Sequence, residues 1–201
     1  MKKIAILVAA AFVFSASVAQ AQPIISYNFA DASYEWTHTG LSGDGDANGM
    51  AVNFSHDLMD SVVFEGGYGY QSYKTTRYSP GRVSSRVSKF TYGVAAYHAI
   101  CENFHVLGRA GLSNSVYNYG SANPDKDEFG QYVGAGVRYV LDNDIELDGN
   151  VTYDHVRVLD TKWVAEGVAI VPVADDVAIT GNLGLTGEGG VQIGGGARYM
   201  F

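Results

Sequence analysis

The final stretch of the chain, Val191 to Phe201, alternates with period two. Val191, Ile193, Gly195, Ala197, Tyr199 and Phe201 fall on one set of positions, and Gln192, Gly194, Gly196 and Arg198 on the other. A side-chain repeat of two is that of a β-strand, and one greasy face opposite one polar face puts a different solvent on each side. Such a strand belongs in a sheet with oil on one side and water or charge on the other. Everything upstream reads in the same way.

Nine further alternating segments precede it, at about Ile24–Thr39, Gly49–His56, Ser61–Tyr73, Arg86–Ile100, Phe104–Tyr117, Phe129–Leu141, Ile145–Val158, Lys162–Val171 and Val177–Thr186. Their apolar faces carry Met50, Val52 and Phe54, then Phe64, Tyr68 and Tyr70, then Phe90, Tyr92 and Val94. In the first segment Tyr27 and Phe29 share one face, whereas Ala32, Tyr34 and Trp36 share the other, which predicts a bulge near Ala30. Pro172 is expected to end the eighth segment, because proline cannot donate to a ladder.

Connections of two kinds separate the segments. Asp57–Asp60, Cys101–Asn103, Asp142–Asp144 and Val173–Asp176 read as tight turns, and the links around 40–48, 74–85 and 118–128 as longer loops. Short turns at one rim and longer loops at the other are the asymmetry of a transmembrane barrel. In hydrocarbon every unpaired backbone N–H or C=O costs several kcal/mol, so the sheet must close on itself. The expected fold is all-β: a single antiparallel transmembrane β-barrel of ten strands, with eight as the alternative if 159–188 is partly loop.

Residues 1–21 stand apart. Lys2 and Lys3 precede a short apolar run from Ile4 to Phe14, and Ala19-Gln20-Ala21 is a small-x-small cleavage site, so this segment reads as a cleaved signal peptide. The run is too short to span a bilayer as a helix. The barrel then occupies 22–201, and loss of the two lysines takes the charge from −8 to −10. An acidic chain without a basic cluster is not expected to bind nucleic acid. No cofactor is implied. Cys101 is the one cysteine, which excludes an internal disulfide.

Several motifs carry a resemblance. They are the opening Tyr27-Asn28-Phe29-Ala30-Asp31-Ala32-Ser33-Tyr34, the Gly-Asp-Gly-Asp at 43–46, Gly134-Ala135-Gly136-Val137-Arg138-Tyr139, its echo Gly195-Gly196-Ala197-Arg198-Tyr199, and the terminal Phe201. With these the chain resembles the small porin-like β-barrels of the Gram-negative outer membrane, distant relatives of the OmpA-type and opacity-type barrels. The resemblance covers the whole of 22–201 and implies a cell-outer-membrane location. It also implies assembly by the barrel-assembly machinery, which reads a terminal aromatic strand, here Tyr199 and Phe201. It implies no defined activity.

Function in so narrow a cylinder has to lie in the bore or at the rims. The inward set contains Lys89, Arg109, Arg138 and Arg198 together with Glu65, Glu146, Asp148, Asp154 and Glu166. A barrel of eight to ten strands is barely wider than the side chains that fill it. Each buried charge there needs a partner. The expectation is an interlocked ion-pair network, with a narrow ion path past the same charges as the sharper reading.

The segment 74–86 holds Lys74, Arg77, Arg82 and Arg86, and arginine forks fit phosphate oxygens, so contact with lipopolysaccharide at the outer leaflet is expected. Asp44, Asp46 and Asn48 occupy ligand positions of the first half of a calcium loop, but Ser55 stands where the closing glutamate belongs. No metal is therefore expected, and these three are only a weak candidate. His38, His155 and Asp154 lie near one rim without a spaced catalytic motif. The chain reads as a non-enzymatic, monomeric envelope barrel with a structural or small-solute leak role. Surface adhesion through the loops is the alternative, and a rim hydrolase on lipid A or peptide comes third.

Overall fold

The computed structural model describes residues 25–38, 44–75, 83–118, 126–156, 162–187 and 189–201. Ten strands form: β1 (Phe29–His38), β2 (Asp44–Met59), β3 (Val62–Thr75), β4 (Val83–Cys101), β5 (Phe104–Asn118), β6 (Lys126–Val140), β7 (Glu146–Val156), β8 (Lys162–Ala174), β9 (Val177–Thr186) and β10 (Val191–Met200). They make a closed antiparallel barrel in which each strand pairs with its neighbours in sequence. The seam between β1 and β10 closes it, running without a break from Phe29 opposite Met200 to His38 opposite Val191. The eight-strand alternative falls, since β8 and β9 are both complete ladder members.

Four expectations are corrected. β1 carries no bulge near Ala30: its register on both sides is continuous from Phe29, so Phe29 points inward with Asp31, Ser33 and Glu35. β2 begins at Asp44, so most of the supposed first loop is strand. Its far end runs on to Met59, with a bulge between Asp57 and Met59, and the turn is Asp60–Ser61, where Ser61 adopts a φ of 64°. β8 continues through Pro172 to Ala174, because a register shift between those two residues absorbs the missing donor.

The outer face is apolar where it needs to be. Met50, Val52, Phe54, Phe90, Tyr92, Val151, Ile179, Leu183, Ile193 and Tyr199 are all exposed on it. At the rim of longer links this belt gives way to polar residues. The ladder places Asn48 opposite Ser72, Ser72 opposite Arg86 and Arg86 opposite Asn118, one register step beyond Met50 and Tyr70. A tilted membrane strand needs about 9–11 residues. β1, β9 and β10 have 10 each, whereas β4 has 19 and β5 and β6 have 15. The wall from β2 to β6 therefore stands higher than the rest.

Candidate functional site

The bore has two zones of different chemistry. The middle is polar. Strand alternation turns every second residue inward, and a cavity of about 310 Å³ is lined there by Asp31, Glu35, Glu65, Asp148, Asp154 and Glu166 against Lys89, Arg109 and Arg198. Six carboxylates against three cations leave this wall acidic.

Neighbouring strands make some of the pairs. Arg198 and Asp31 face each other across the seam, Nη2 to Oδ2 3.0 Å, and Asn53 Nδ2 donates to the other Asp31 oxygen at 2.9 Å. Arg138 stands opposite Asp148 with Nε 3.7 Å from its Oδ2, and its Nη2 lies 2.5 Å from Glu146 Oε1. Other pairs join strands that are not neighbours. Lys89 of β4 reaches Asp154 of β7, which also accepts from Ser113 Oγ at 3.1 Å. Arg109 of β5 lies 3.8 Å from Glu65 of β3. Glu166 is held by amides, accepting from Asn150 at 3.5 Å and Asn182 at 3.4 Å. Gly93 and Gly111 leave space for a ring: a Cβ on either would meet the Tyr132 hydroxyl at 2.6 Å.

The second zone, at the rim of short turns, is built round an apolar cluster. Ile25, Tyr27, Val63, Ala95, Tyr97, Leu107 and Val140 form one buried cluster there. Four strands bring inward side chains to it, β3 to β6, but Ile25 and Tyr27 precede β1 and come from the segment just before it. Tyr27 stacks on Tyr97 at 4.0 Å between ring centroids and shares a 3.1 Å hydrogen bond with His105 Nδ1. The Arg138 guanidinium lies 4.6 Å over the Tyr27 ring and donates to the Ser26 carbonyl at 3.2 Å. Burial pushes the Tyr27 hydroxyl well above the ordinary tyrosine value, and the Arg138 charge offsets only part of that. The phenol therefore stays neutral.

The nine inward charges named from the sequence thus all lie in or beside the bore, and the structure brings eight of them into ion pairs, with Glu166 held by amides instead. Sequence reasoning missed Asp31, Glu35, Phe29, Tyr27 and His105. The parity of Ala32, Tyr34 and Trp36 was a usable signal for Asp31 and Glu35. Nothing comparable marked Phe29, which takes Arg198 over its ring at 3.7 Å, or His105, which is fully buried.

The rim candidates do not assemble. Asp44, Asp46 and Asn48 all lie within strand β2, not in a loop that curls round one ion as a calcium loop does. No metal-binding group of three is found among the described residues. Asp46 accepts from, or is paired with, His38 Nδ1 at 2.8 Å. Asp154 faces the bore while His155 next to it faces out, and His38 lies on β1 bound to Asp46. Arg86 is exposed in the polar row above the belt, and Lys74 lies at the end of β3. Arg77 and Arg82 lie outside the described residues. Cys101 is free and exposed beside the Glu102–Asn103 turn, donating to Asn103 Oδ1 at 3.0 Å.

Residues 5–169 match the family model described as the outer membrane protein beta-barrel domain. The chain belongs to this family. Its members' short turns face the periplasm and their longer loops the exterior, which orients the two zones of the bore. No curated protein matches the sequence. Among solved structures, the transport unit of the autotransporter AIDA-I from Escherichia coli is similar at 8% identity, with a TM-score of 0.50 over 96% of this chain and 97% of that one. Neisserial surface protein A is 14% identical, with a TM-score of 0.46 over 86% and 95% of the two chains. Ail, the attachment invasion locus protein of Yersinia pestis, crystallised with the heparin analogue sucrose octasulfate, is 11% identical, with a TM-score of 0.46 over 85% and 95%.

Proposed function

We propose that the protein is a non-enzymatic barrel of the cell outer membrane whose polar bore gives a narrow leak for water and small cations. The acidic cavity in the middle of the bore carries this reading. A purely structural barrel gains most from a filled core, because close packing maximises dispersion and leaves no void. A 310 Å³ space walled by a carboxylate excess is instead a place where water and cations are favoured over anions.

The surroundings fit the same role. Arg86 stands just above the apolar belt, and with Lys74, Arg77 and Arg82 it forms the group proposed to meet lipopolysaccharide phosphates. Phe201 is proposed, with Tyr199, as the signal read by the assembly machinery; its ring stacks within 6.3 Å of Phe54, His56 and Tyr199. The protein is taken to act as a monomer once residues 1–21 are removed. Surface binding through the loops over β2–β6 is a second reading, favoured by the height of that wall; retention of binding after removal of 76–82 and 119–125 would exclude it.

The leak is tested with proteoliposomes holding a potassium gradient. Potassium flux above protein-free vesicles and in excess of chloride flux is expected, with an increase in Arg109→Ser, which widens the cavity and leaves Glu65 unpaired. Flux equal to protein-free vesicles from both proteins would refute it.

A further inference from the structure

We infer that residues 25–28 are a built-in stopper that covers the periplasmic end of the bore and, by leaving its seat only part of the time, limits what passes. This rests on the leak reading for what passes, but not for the seat itself.

The geometry begins with position in the ring. Strand order puts β1 beside β2 and β10, and β5 and β6 on the far side. The chain just before β1 nevertheless ends up against β4, β5 and β6: Tyr27 meets Tyr97, His105 and Arg138. To do so it crosses the mouth rather than following the wall. Ile25 and Tyr27 are left only 1% and 3% exposed. Together with Val63, Ala95, Leu107 and Val140, which come from β3 to β6, they make one buried apolar cluster at the mouth. Water and hydrated ions cannot cross such a constriction without paying desolvation, which is how hydrophobic gates act.

The way the segment is held makes it a device and not just filling. It belongs to no ladder: β1 pairing starts at Phe29. Its fastenings are side-chain contacts that can be broken one at a time. They are the aromatic stack on Tyr97, the Arg138 contacts to the Tyr27 ring and the Ser26 carbonyl, and a two-way clasp at the hinge. In that clasp Asn28 Nδ2 donates to Asp57 Oδ2 at 2.9 Å and Asp57 N donates to Asn28 Oδ1 at 2.9 Å. The last backbone amide, Phe201 N, donates to Asn28 O at 3.1 Å and fixes the point about which the segment would swing. Release would expose the acidic cavity directly to the periplasm, since the cavity lining begins at Phe29 and Asp31.

The test reads the seat and the flux separately. Leu107→Cys in a Cys101→Ser background places a thiol under the stopper. A charged, membrane-impermeant thiol reagent is added to the full barrel in nanodiscs, where both faces are open. Slow modification is expected with the native segment, and at least tenfold faster modification with Ile25→Gly/Tyr27→Gly. Asn28→Gly, which removes only the clasp, is expected to give a smaller rise and serves if the double variant folds poorly, folding being checked by resistance of the barrel to unfolding in cold SDS. Potassium flux is expected to rise several-fold in the same variants. Equal thiol reactivity in all of them would overturn the stopper whatever the flux does. Faster labelling with no change in flux would leave the stopper standing and sink the leak.

Discussion

Arg138 is the residue whose removal should cost the fold most. Its guanidinium is 2% exposed and faces two carboxylates, Glu146 and Asp148, while its plane covers the Tyr27 ring and approaches Phe29 at 5.6 Å. In Arg138→Ala both carboxylates lose their counter-charge inside the barrel. Breaking a buried pair by deleting one partner typically costs about 3–5 kcal/mol, because the surviving charge stays desolvated. The lost ring contact, about 0.5–2 kcal/mol by itself, overlaps with that figure and does not simply add. We expect a loss of about 3–5 kcal/mol, measured by urea titration of the barrel in micelles, approached from both the folded and unfolded sides to expose hysteresis. The mechanism makes a second, sharper demand. Adding Glu146→Gln and Asp148→Asn removes the orphaned charges, so the triple variant should regain about 2 kcal/mol over the single one. A loss under about 1 kcal/mol in Arg138→Ala, or a triple variant no more stable than the single, would refute the ion-pair account.

Other consequences are open to equally direct checks. Gly111→Val should destabilise the barrel by about 2–3 kcal/mol, and Tyr132→Ala should not fully rescue it, because the added Cβ also meets the β4 backbone; denaturation of the single and double variants decides. Lys89→Ala removes a cation from the cavity wall beside buried Asp154 and should shift ion selectivity further toward cations, as reversal potentials in a salt gradient would read. Trp36 and Trp163 both lie exposed on the outer face; their fluorescence should be quenched by lipids brominated near the headgroup more than by lipids brominated near the chain ends, as expected for interfacial aromatics. Phe201→Ala should lower the amount of protein recovered in the outer-membrane fraction without changing the stability of the refolded barrel by more than about 1 kcal/mol, because the ring is half exposed.

Most of the architecture was legible because alternation is a local property. Strand count, the outward faces of β2, β3, β4 and β10, and the inward charges all follow from parity, and parity survives small errors in strand ends. The failures have a common physical origin: residues whose type suits one environment were satisfied in another. Phe29 is aromatic and so read as lipid-facing, yet it sits inside, because two guanidinium groups offer its π-face a better partner than hydrocarbon does. Tyr27 has the same parity but lies beyond the ladder, where no rule of alternation applies. Asp44 to Gly49 has the composition of a turn and nonetheless pairs in β2, because the tall neighbouring β3 offers it a partner edge. Pro172 read as a strand end and is instead absorbed by a bulge. His105 could not have been found from its own neighbourhood in sequence, since its partner Tyr27 is 78 positions away.

The seam has a kinetic meaning. Nine of the ten ladders join segments that follow one another along the chain and can zip from a turn, so each costs only a small loop-closure entropy. The tenth brings Phe29 to Met200 and cannot begin until both have emerged. Formation of the ring is thus held back by a single long-range encounter, and until it occurs two bare edges remain that a neighbouring chain could capture.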